Sequence, residues 1–365
     1  MKVEAIFQDL QETQFLNKLI SQEKIIFIGE EPTISYLKHF FGFHKKLDDN
    51  YYYNWQPTEQ QELILDLEKL INYRAVVVAS VNNEHTIFEA FSELVNASKI
   101  DLPILKLFTN VFVNFMSGQK LLQVTEYQSS LPQLSYAIIT TPRSGSTFLC
   151  SILQSIRIAG YPTEHLRQAS AVLAKNCQFD YIKLLHALIA YKTTPNGVFG
   201  TKFISHFLEV FQKAKFDFGE IFQSISKYIY LVRQDKVAQA VSIVLAQKTN
   251  VWHISTHEKH QNYETQLEEI EIKESLLEEV HKQYRFIQQQ EEYLAKLFET
   301  YQISPLIVEY EQLVEHTEEQ INYILNYLQI PNAETKTTNL QSHLRKMRSG
   351  LSEQIIKEYK DKFGH

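Results

Sequence analysis

The sequence predicts an α/β protein of two domains, each built on a parallel sheet. Three observations carry this. Short β-branched runs alternate with helical patterns from residue 25 to residue 116, and the alternation restarts at residue 136. A more polar stretch at 117–134, SGQKLLQVTEYQSSLPQL, interrupts it. A chain of 365 residues is long for a single core and comfortable for two. The division falls at residue 130. Residues 1–130 read as a smaller Rossmann-like α/β domain, and residues 131–365 as an α/β domain with a P-loop-like parallel sheet.

The elements follow in order. Residues 1–22 read as a polar amphipathic helix. IIFI at 25–28 is a buried strand, Gly29 a turn, and Pro32 the opening of a helix that runs to residue 41. Residues 42–57 connect, with one short strand. Residues 58–72 have a helical period, and RAVVVAS at 74–80 is a buried strand. A helix over 83–98, a strand over 103–108 and a helix to residue 116 complete the first domain. In the second, YAIIT at 136–140 is a strand and 146–158 a helix. GVFGTKFI at 197–204 is a strand after a Thr-Pro-Asn-Gly turn. YIYLVR at 228–233 is a strand and 236–248 a helix. Residues 274–301 form a long helix, because Leu277, Val280, Tyr284, Ile287, Leu294, Phe298 and Tyr301 repeat at threes and fours. LIVEY at 306–310 is the last strand and 317–328 the last long helix. No repeat is visible in the sequence.

Bulk properties narrow the function. The net charge is −7, from 36 basic and 43 acidic residues, which excludes non-specific nucleic-acid binding. An anionic ligand would need a local cluster of donors. Two cysteines, Cys150 and Cys177, fit a reducing compartment rather than a disulfide framework. The first residues have no signal-peptide core, and no apolar run reaches the roughly 18 residues of a membrane span. A cytoplasmic protein is expected.

Two strand-to-helix junctions carry the chemistry. Pro142-Arg143-Ser144-Gly145-Ser146-Thr147 lies between a buried strand and a helix. Free backbone N–H groups and the helix dipole meet there, Gly145 permits close approach, and Arg143 adds a charged planar fork. The loop suits phosphate or sulfate; a capped tight turn is the plainer reading. A nucleotide triphosphatase loop would need G-x-x-x-x-G-K-[ST], and here there is one glycine and no lysine. At the second junction, LVRQDKVAQAVS at 231–242, Arg233 stands at the carboxyl end of a strand and Ser242 two turns into the next helix. Two such sites side by side suit a nucleotide with a phosphate at each end of its ribose.

Four segments together resemble the Stf0-type sulfotransferases, the family of trehalose 2-sulfotransferase. They are TTPRSGSTFLCSIL, IAGYPTEHL, TPNGVFGTKF and VRQDKVAQAVSIVLAQKTNVWH, in that order over about residues 134–255. IVEYEQLVEH extends the likeness more weakly, and residues 1–130 lie outside it. The resemblance implies transfer of a sulfuryl group from 3′-phosphoadenosine 5′-phosphosulfate (PAPS), leaving the bisphosphate PAP. The acceptor would be a hydroxyl or amine of a small molecule: a sugar, a glycolipid or a specialised metabolite. Residues 142–147 would cradle the 5′ end, with Arg143 on the leaving phosphate and Lys202 beside the sulfuryl group. Arg233 and Ser242 would hold the 3′-phosphate. Glu164 matches the family's catalytic carboxylate; the alternative is a helix-start carboxylate. His165 and His206 are further candidates for the base, although a single histidine is more often structural. Trp252 and His253, with His206 and Glu164, would line the acceptor site; the alternative for Trp252 is a core aromatic. The chemistry requires no metal.

Other features stay open at this stage. His253, His257 and His260 are spaced for one helical face, with no carboxylate or cysteine to complete a zinc site. Arg345, Lys346 and Arg348 either close over the nucleotide or form a solvated helix end. Gln234 and Phe203-Ile204-Ser205 depart from the family pattern, which puts the acceptor in question rather than the donor. FIGEEPTISYLKHF has a single Gly29 where G-x-G-x-x-G would be needed, and Glu30 and Glu31 would repel phosphate. The first domain is therefore expected to serve acceptor selection, docking or assembly into a homodimer. The alternatives are an ATP-dependent phosphotransferase, for which a Walker lysine and a magnesium-binding acid are missing, and a non-catalytic nucleotide-binding scaffold, against which the intact Arg143, Glu164, Arg233 and Ser242 speak.

Overall fold

The computed structural model describes residues 3–20, 24–42, 51–55, 72–118, 132–252, 257–330 and 349–364. The helix expected over 58–72 and the polar connection at 119–131 lie outside the described residues. In chain order the elements begin with α1 (Val3–Glu12), α2 (Phe15–Ile20), β1 (Ile25–Gly29), α3 (Thr33–Gly42), β2 (Tyr51–Asn54), β3 (Ala75–Ala79), α4 (Glu84–Ala97) and β4 (Ile104–Lys106). A π-helical turn (Leu107–Phe112) then runs into α5 (Val113–Ser117). Next come β5 (Leu134–Thr140), α6 (Ser146–Ile156), α7 (Gln168–Cys177), α8 (Tyr181–Lys192), β6 (Val198–Ile204), α9 (Ser205–Lys213) and α10 (Phe218–Gln223). The last are β7 (Lys227–Val232), α11 (Lys236–Thr249), α12 (His257–Glu268), α13 (Glu274–Thr300), β8 (Leu306–Glu309), α14 (Tyr310–Glu315), α15 (Thr317–Leu328) and α16 (Gly350–Phe363).

The chain divides into two compact units. The first comprises residues 1–129, 166–191 and 213–216; the second comprises 130–165, 192–212 and 217–365. The first unit thus takes in α7 and most of α8, in a stretch to which the sequence assigned no element and which a cut at residue 130 leaves in the second domain.

The first unit has a parallel sheet of order β2-β1-β3-β4. Its central strands, IIFIG and AVVVA, are buried along their whole length, as continuous apolar runs in a parallel sheet should be. Gly29 is required there: a Cβ would stand 1.9 Å from the Ala79 carbonyl oxygen. β4 stops at Lys106, short of the expected strand over 103–108. The reason lies in Glu84, whose buried carboxyl accepts from the backbone N–H of Phe108 (2.7 Å) and Thr109 (3.2 Å) and shares a hydrogen bond of 2.6 Å with the Thr109 hydroxyl. A long-range acceptor at those N–H groups starts a helix where local propensity favoured a strand. α7 is docked by α1. Asp9 accepts from the Ala169 N–H at 2.9 Å, and Arg167 pairs with Asp9 (2.8 Å) and Glu12 (2.7 Å).

The second unit repeats the same plan, a parallel sheet of order β6-β5-β7-β8. β5 is central, and α6 and α15 bury Leu149, Leu153, Ile321 and Leu325 in the core beside it. A second core joins α11 and α13 to α16 through Val244, Val280, Ile355 and Tyr359. The connection from β5 leads to β6 on one side, and the connection from β7 leads to β8 on the other. The sheet therefore has its topological switch point between the carboxyl ends of β5 and β7, where open α/β sheets take ligands. Among the described residues, no helix is long and apolar enough to cross a membrane.

Candidate active site

The two junctions singled out in the sequence meet at that switch point. Register pairs Thr140, the last residue of β5, with Leu231 on β7. The Thr140 hydroxyl donates to the Leu231 carbonyl at 2.7 Å, so the Ser144 hydroxyl, also bonded to Thr140 Oγ1, acts as the donor in that contact. Ser144 is fully buried, and its hydroxyl holds the loop to the strand end. Gln239 on α11 fixes the loop from the other side, donating to Thr141 Oγ1 (2.8 Å) and the Pro142 carbonyl (2.7 Å). Arg143 and Gly145 both take positive φ, 61° and 90°. Gly145 then serves as the N-cap of α6, so the N–H groups of its first turn, at Ser146 and Thr147, open at the switch point.

The Arg143 side chain crosses to the second junction. Its Nε donates to Ser242 Oγ at 2.9 Å and its Nη1 to the Trp252 carbonyl. Arg233 Nη1 donates to the Arg143 carbonyl at 3.3 Å. Two guanidinium groups are thus held beside one another. Burial pushes the Arg143 pKa down to about 10; the Tyr263 and Tyr310 side chains oppose the drop, and the charge on Arg233 adds to it. The group remains charged at neutral pH, in surroundings that a bound anion would relieve.

Tyr310, the first residue of α14, was not singled out in the sequence. Its ring lies under the Arg233 guanidinium, 5.0 Å from centroid to Cζ, and fills the space beside Gly145, where a Cβ would come within 2.2 Å of it. The flanking acids grip the same turn. Glu311 accepts from the N–H groups of Gln234 (3.0 Å) and Asp235 (3.1 Å), and Glu309 accepts from the Gln234 side chain at 2.8 Å. Gln234 thereby ties the Arg233 turn to the β8–α14 junction. Asp235 caps α11 by accepting from the Ala238 N–H at 2.9 Å.

A second group forms beside the first turn of α6. Lys202, on β6 next to Ile138 of β5, is 4% exposed. Its ammonium pairs with Glu164 at 2.7 Å and lies 3.4 Å from Thr147 Oγ1. Glu164 belongs to a loop rather than to a helix start; the nearest helix, α7, begins at Gln168. His165 turns inward onto Phe199, and burial, with the Lys192 charge, holds its pKa down to about 4. His206 stands in the first turn of α9 against the ring of Phe207, centroids 4.3 Å apart. Trp252 is half-buried and meets Arg143 through its carbonyl oxygen. His253 and the basic residues Arg345, Lys346 and Arg348 lie outside the described residues, and with His253 goes the three-histidine face. Among the described residues, no group of three or more His, Cys, Asp or Glu could hold a metal ion.

Comparison with known proteins bears on this arrangement. Residues 135–362 match the profile of the Stf0 sulphotransferase family, well over half of the chain. No curated protein sequence matches. Among solved structures, the sulfotransferase domain from the Synechococcus PCC 7002 olefin synthase is similar at 15% identity, over 67% of this chain and 98% of that one, with a TM-score of 0.32. The span of the family match takes in both junctions, Glu164 and Lys202, and on its extent the chain belongs to the Stf0 sulphotransferase family.

Proposed function

We propose that this sulfotransferase takes its sulfuryl group from PAPS and passes it to a hydroxyl or amine of a small acceptor. The observation that carries the reading is the meeting of Arg143, Arg233 and Ser242 at the switch point, with Arg143 two residues before the N-cap of α6. Two cationic forks beside a helix N-terminus fit a ligand with two anionic groups. When bound, the donor supplies an activated sulfuryl group on a good leaving phosphate.

The chain's own residues divide the remaining work. The N–H groups of Ser146 and Thr147, with the helix dipole, face the 5′ end. The hydrogen bond from Arg143 to Ser242 favours assigning its guanidinium to the 3′ end together with Arg233, with the Arg143 backbone contributing to the 5′ loop. Such donors stabilise charge as it builds on a leaving phosphate. Glu164 accepts the acceptor's proton at a carboxylate oxygen. Lys202, bridging Glu164 and Thr147, supplies positive charge between the proton acceptor and the phosphate loop. Trp252, His206 and His253 are assigned to the acceptor side.

The test is calorimetry with PAP together with transfer from PAPS to a panel of sugars and phenols. Arg143→Ala and Arg233→Ala should each weaken PAP binding by at least tenfold, since losing a charge-assisted bond costs about 1.5–3 kcal/mol. Glu164→Gln should bind PAP as the wild type does and lose transfer. Unchanged PAP affinity in both arginine variants would remove the donor assignment.

A further inference from the structure

Glu164 sits on a turn whose shape is held by the residue next to it. His165 is 7% exposed, with Nε2 3.1 Å from the Tyr161 carbonyl oxygen and Nδ1 3.1 Å from Thr163 Oγ1. A carbonyl oxygen can only accept, so Nε2 carries the ring proton. In the neutral ring Nδ1 then has a lone pair and accepts from the Thr163 hydroxyl. Both nitrogens are engaged in the neutral form, and burial keeps the ring in that form. The backbone adds to the knot. His165 N–H donates to the Thr163 carbonyl at 2.9 Å, and the same carbonyl accepts from the Lys202 N–H at 2.9 Å. Gln154 of α6 donates to the Pro162 carbonyl at 2.8 Å. The imidazole stacks on Phe199 of β6, centroids 5.9 Å apart and planes 25° apart. The strand that presents Lys202 therefore also receives the ring that closes the loop around Glu164.

We propose that His165 is a positioning residue: its ring ties the Tyr161–Thr163 turn onto β6 and so fixes the Glu164 carboxylate against Lys202. It does not exchange the acceptor's proton, because neither ring nitrogen is available to do so. The inference rests on reading Glu164 as the base. It adds the requirement that the base be aimed by a histidine that stays uncharged and inward.

The experiment uses the full chain, with hydrolysis of PAPS to PAP and sulfate as the probe and water in place of the acceptor hydroxyl. In His165→Phe, which keeps the stack on Phe199 but loses both hydrogen bonds, kcat should fall roughly 10- to 100-fold, the scale of an ångström-sized misplacement. PAP affinity should stay within twofold of wild type. His165→Asn, whose amide can donate to Tyr161 and accept from Thr163, should recover part of the loss. Nitrogen chemical shifts of the wild-type ring should report the Nε2–H tautomer at neutral pH. A His165→Phe enzyme with wild-type kcat, a parallel loss of PAP affinity, or an Nδ1–H or doubly protonated ring at neutral pH would each overturn the inference. The two readings separate cleanly. Wild-type kcat in Glu164→Gln removes the base, whereas an inactive Glu164→Gln beside a fully active His165→Phe removes only the positioning role.

Discussion

At the residue scale, Gly145 has two independent reasons to be glycine. Its φ of 90° lies in the left-handed region, and the Tyr310 ring occupies the place of a Cβ. Gly145→Ala should lower stability by about 1–3 kcal/mol, read as a fall in melting temperature. Adding Tyr310→Ala in the same chain should return the part due to the clash and leave the part due to φ. A Gly145→Ala protein that melts with the wild type would remove both costs. The sequence discloses Gly145 and Arg143 because a turn of this kind is local, with its glycine, hydroxyls and cation within a few residues. It conceals Tyr310: the segment IVEYEQLVEH carries a weak family likeness, but the partners of the ring come from two other crossings. Gln239 was in plain view inside the second motif, yet its task, holding two groups of the Pro142 turn, is visible only once α11 lies against β5.

At the scale of elements, the strands were readable where burial on both faces imposes an unbroken apolar run, as in IIFIG and AVVVA. α7 was not, because its buried face is made largely of Ala169, Ala171 and Ala174, and small residues give only a faint apolar period. The early end of β4 was hidden for another reason: it depends on Glu84, which reaches it from the helix that precedes it. That carboxyl is the element-scale liability of the first unit. Burial raises its pKa from 4.5 to about 7, against the opposing pull of the Phe108 and Thr109 donors and the Lys106 charge. The folded chain then keeps a proton that the unfolded chain has released. The associated stability is complete below pH 4.5, declines as pH rises through 7 and is absent above it, a change on the order of 3 kcal/mol. Thermal melts from pH 5 to pH 8 should show this decline in the wild type and a flatter profile in Glu84→Gln. Equal pH profiles for the two proteins would remove Glu84 as its source.

At the scale of the whole molecule, one strand order is used twice, with the second strand placed outside the first and the third and fourth following on the other side. The two switch points differ in what stands there. In the first unit it is Glu30, whose carboxylate accepts from Ser80 (2.8 Å) and from the Asn83 amide (3.0 Å); in the second it is Arg143 and Arg233. Topology thus marks two equivalent positions, and side-chain charge leaves one of them fit for an anion. Removing residues 1–129 should not release a working transferase. It would strip α7 of Asp9, Glu12 and the Thr109 hydroxyl that bonds the Cys177 carbonyl. The shortened protein should aggregate or melt well below the full chain, as scattering and far-ultraviolet circular dichroism would register. A soluble fragment with wild-type PAP affinity would contradict this.

The path of the chain through 166–191 carries a consequence for how such a protein can be varied. Glu164 lies just before the chain departs for the first unit, and Lys202 lies a short way after it returns. The two halves of the gene are therefore not interchangeable cassettes. A chimera joined at residue 130 would inherit the helices of one parent and the cradle for them from the other, and recombination would succeed only where both cuts of the excursion travel together with the front half.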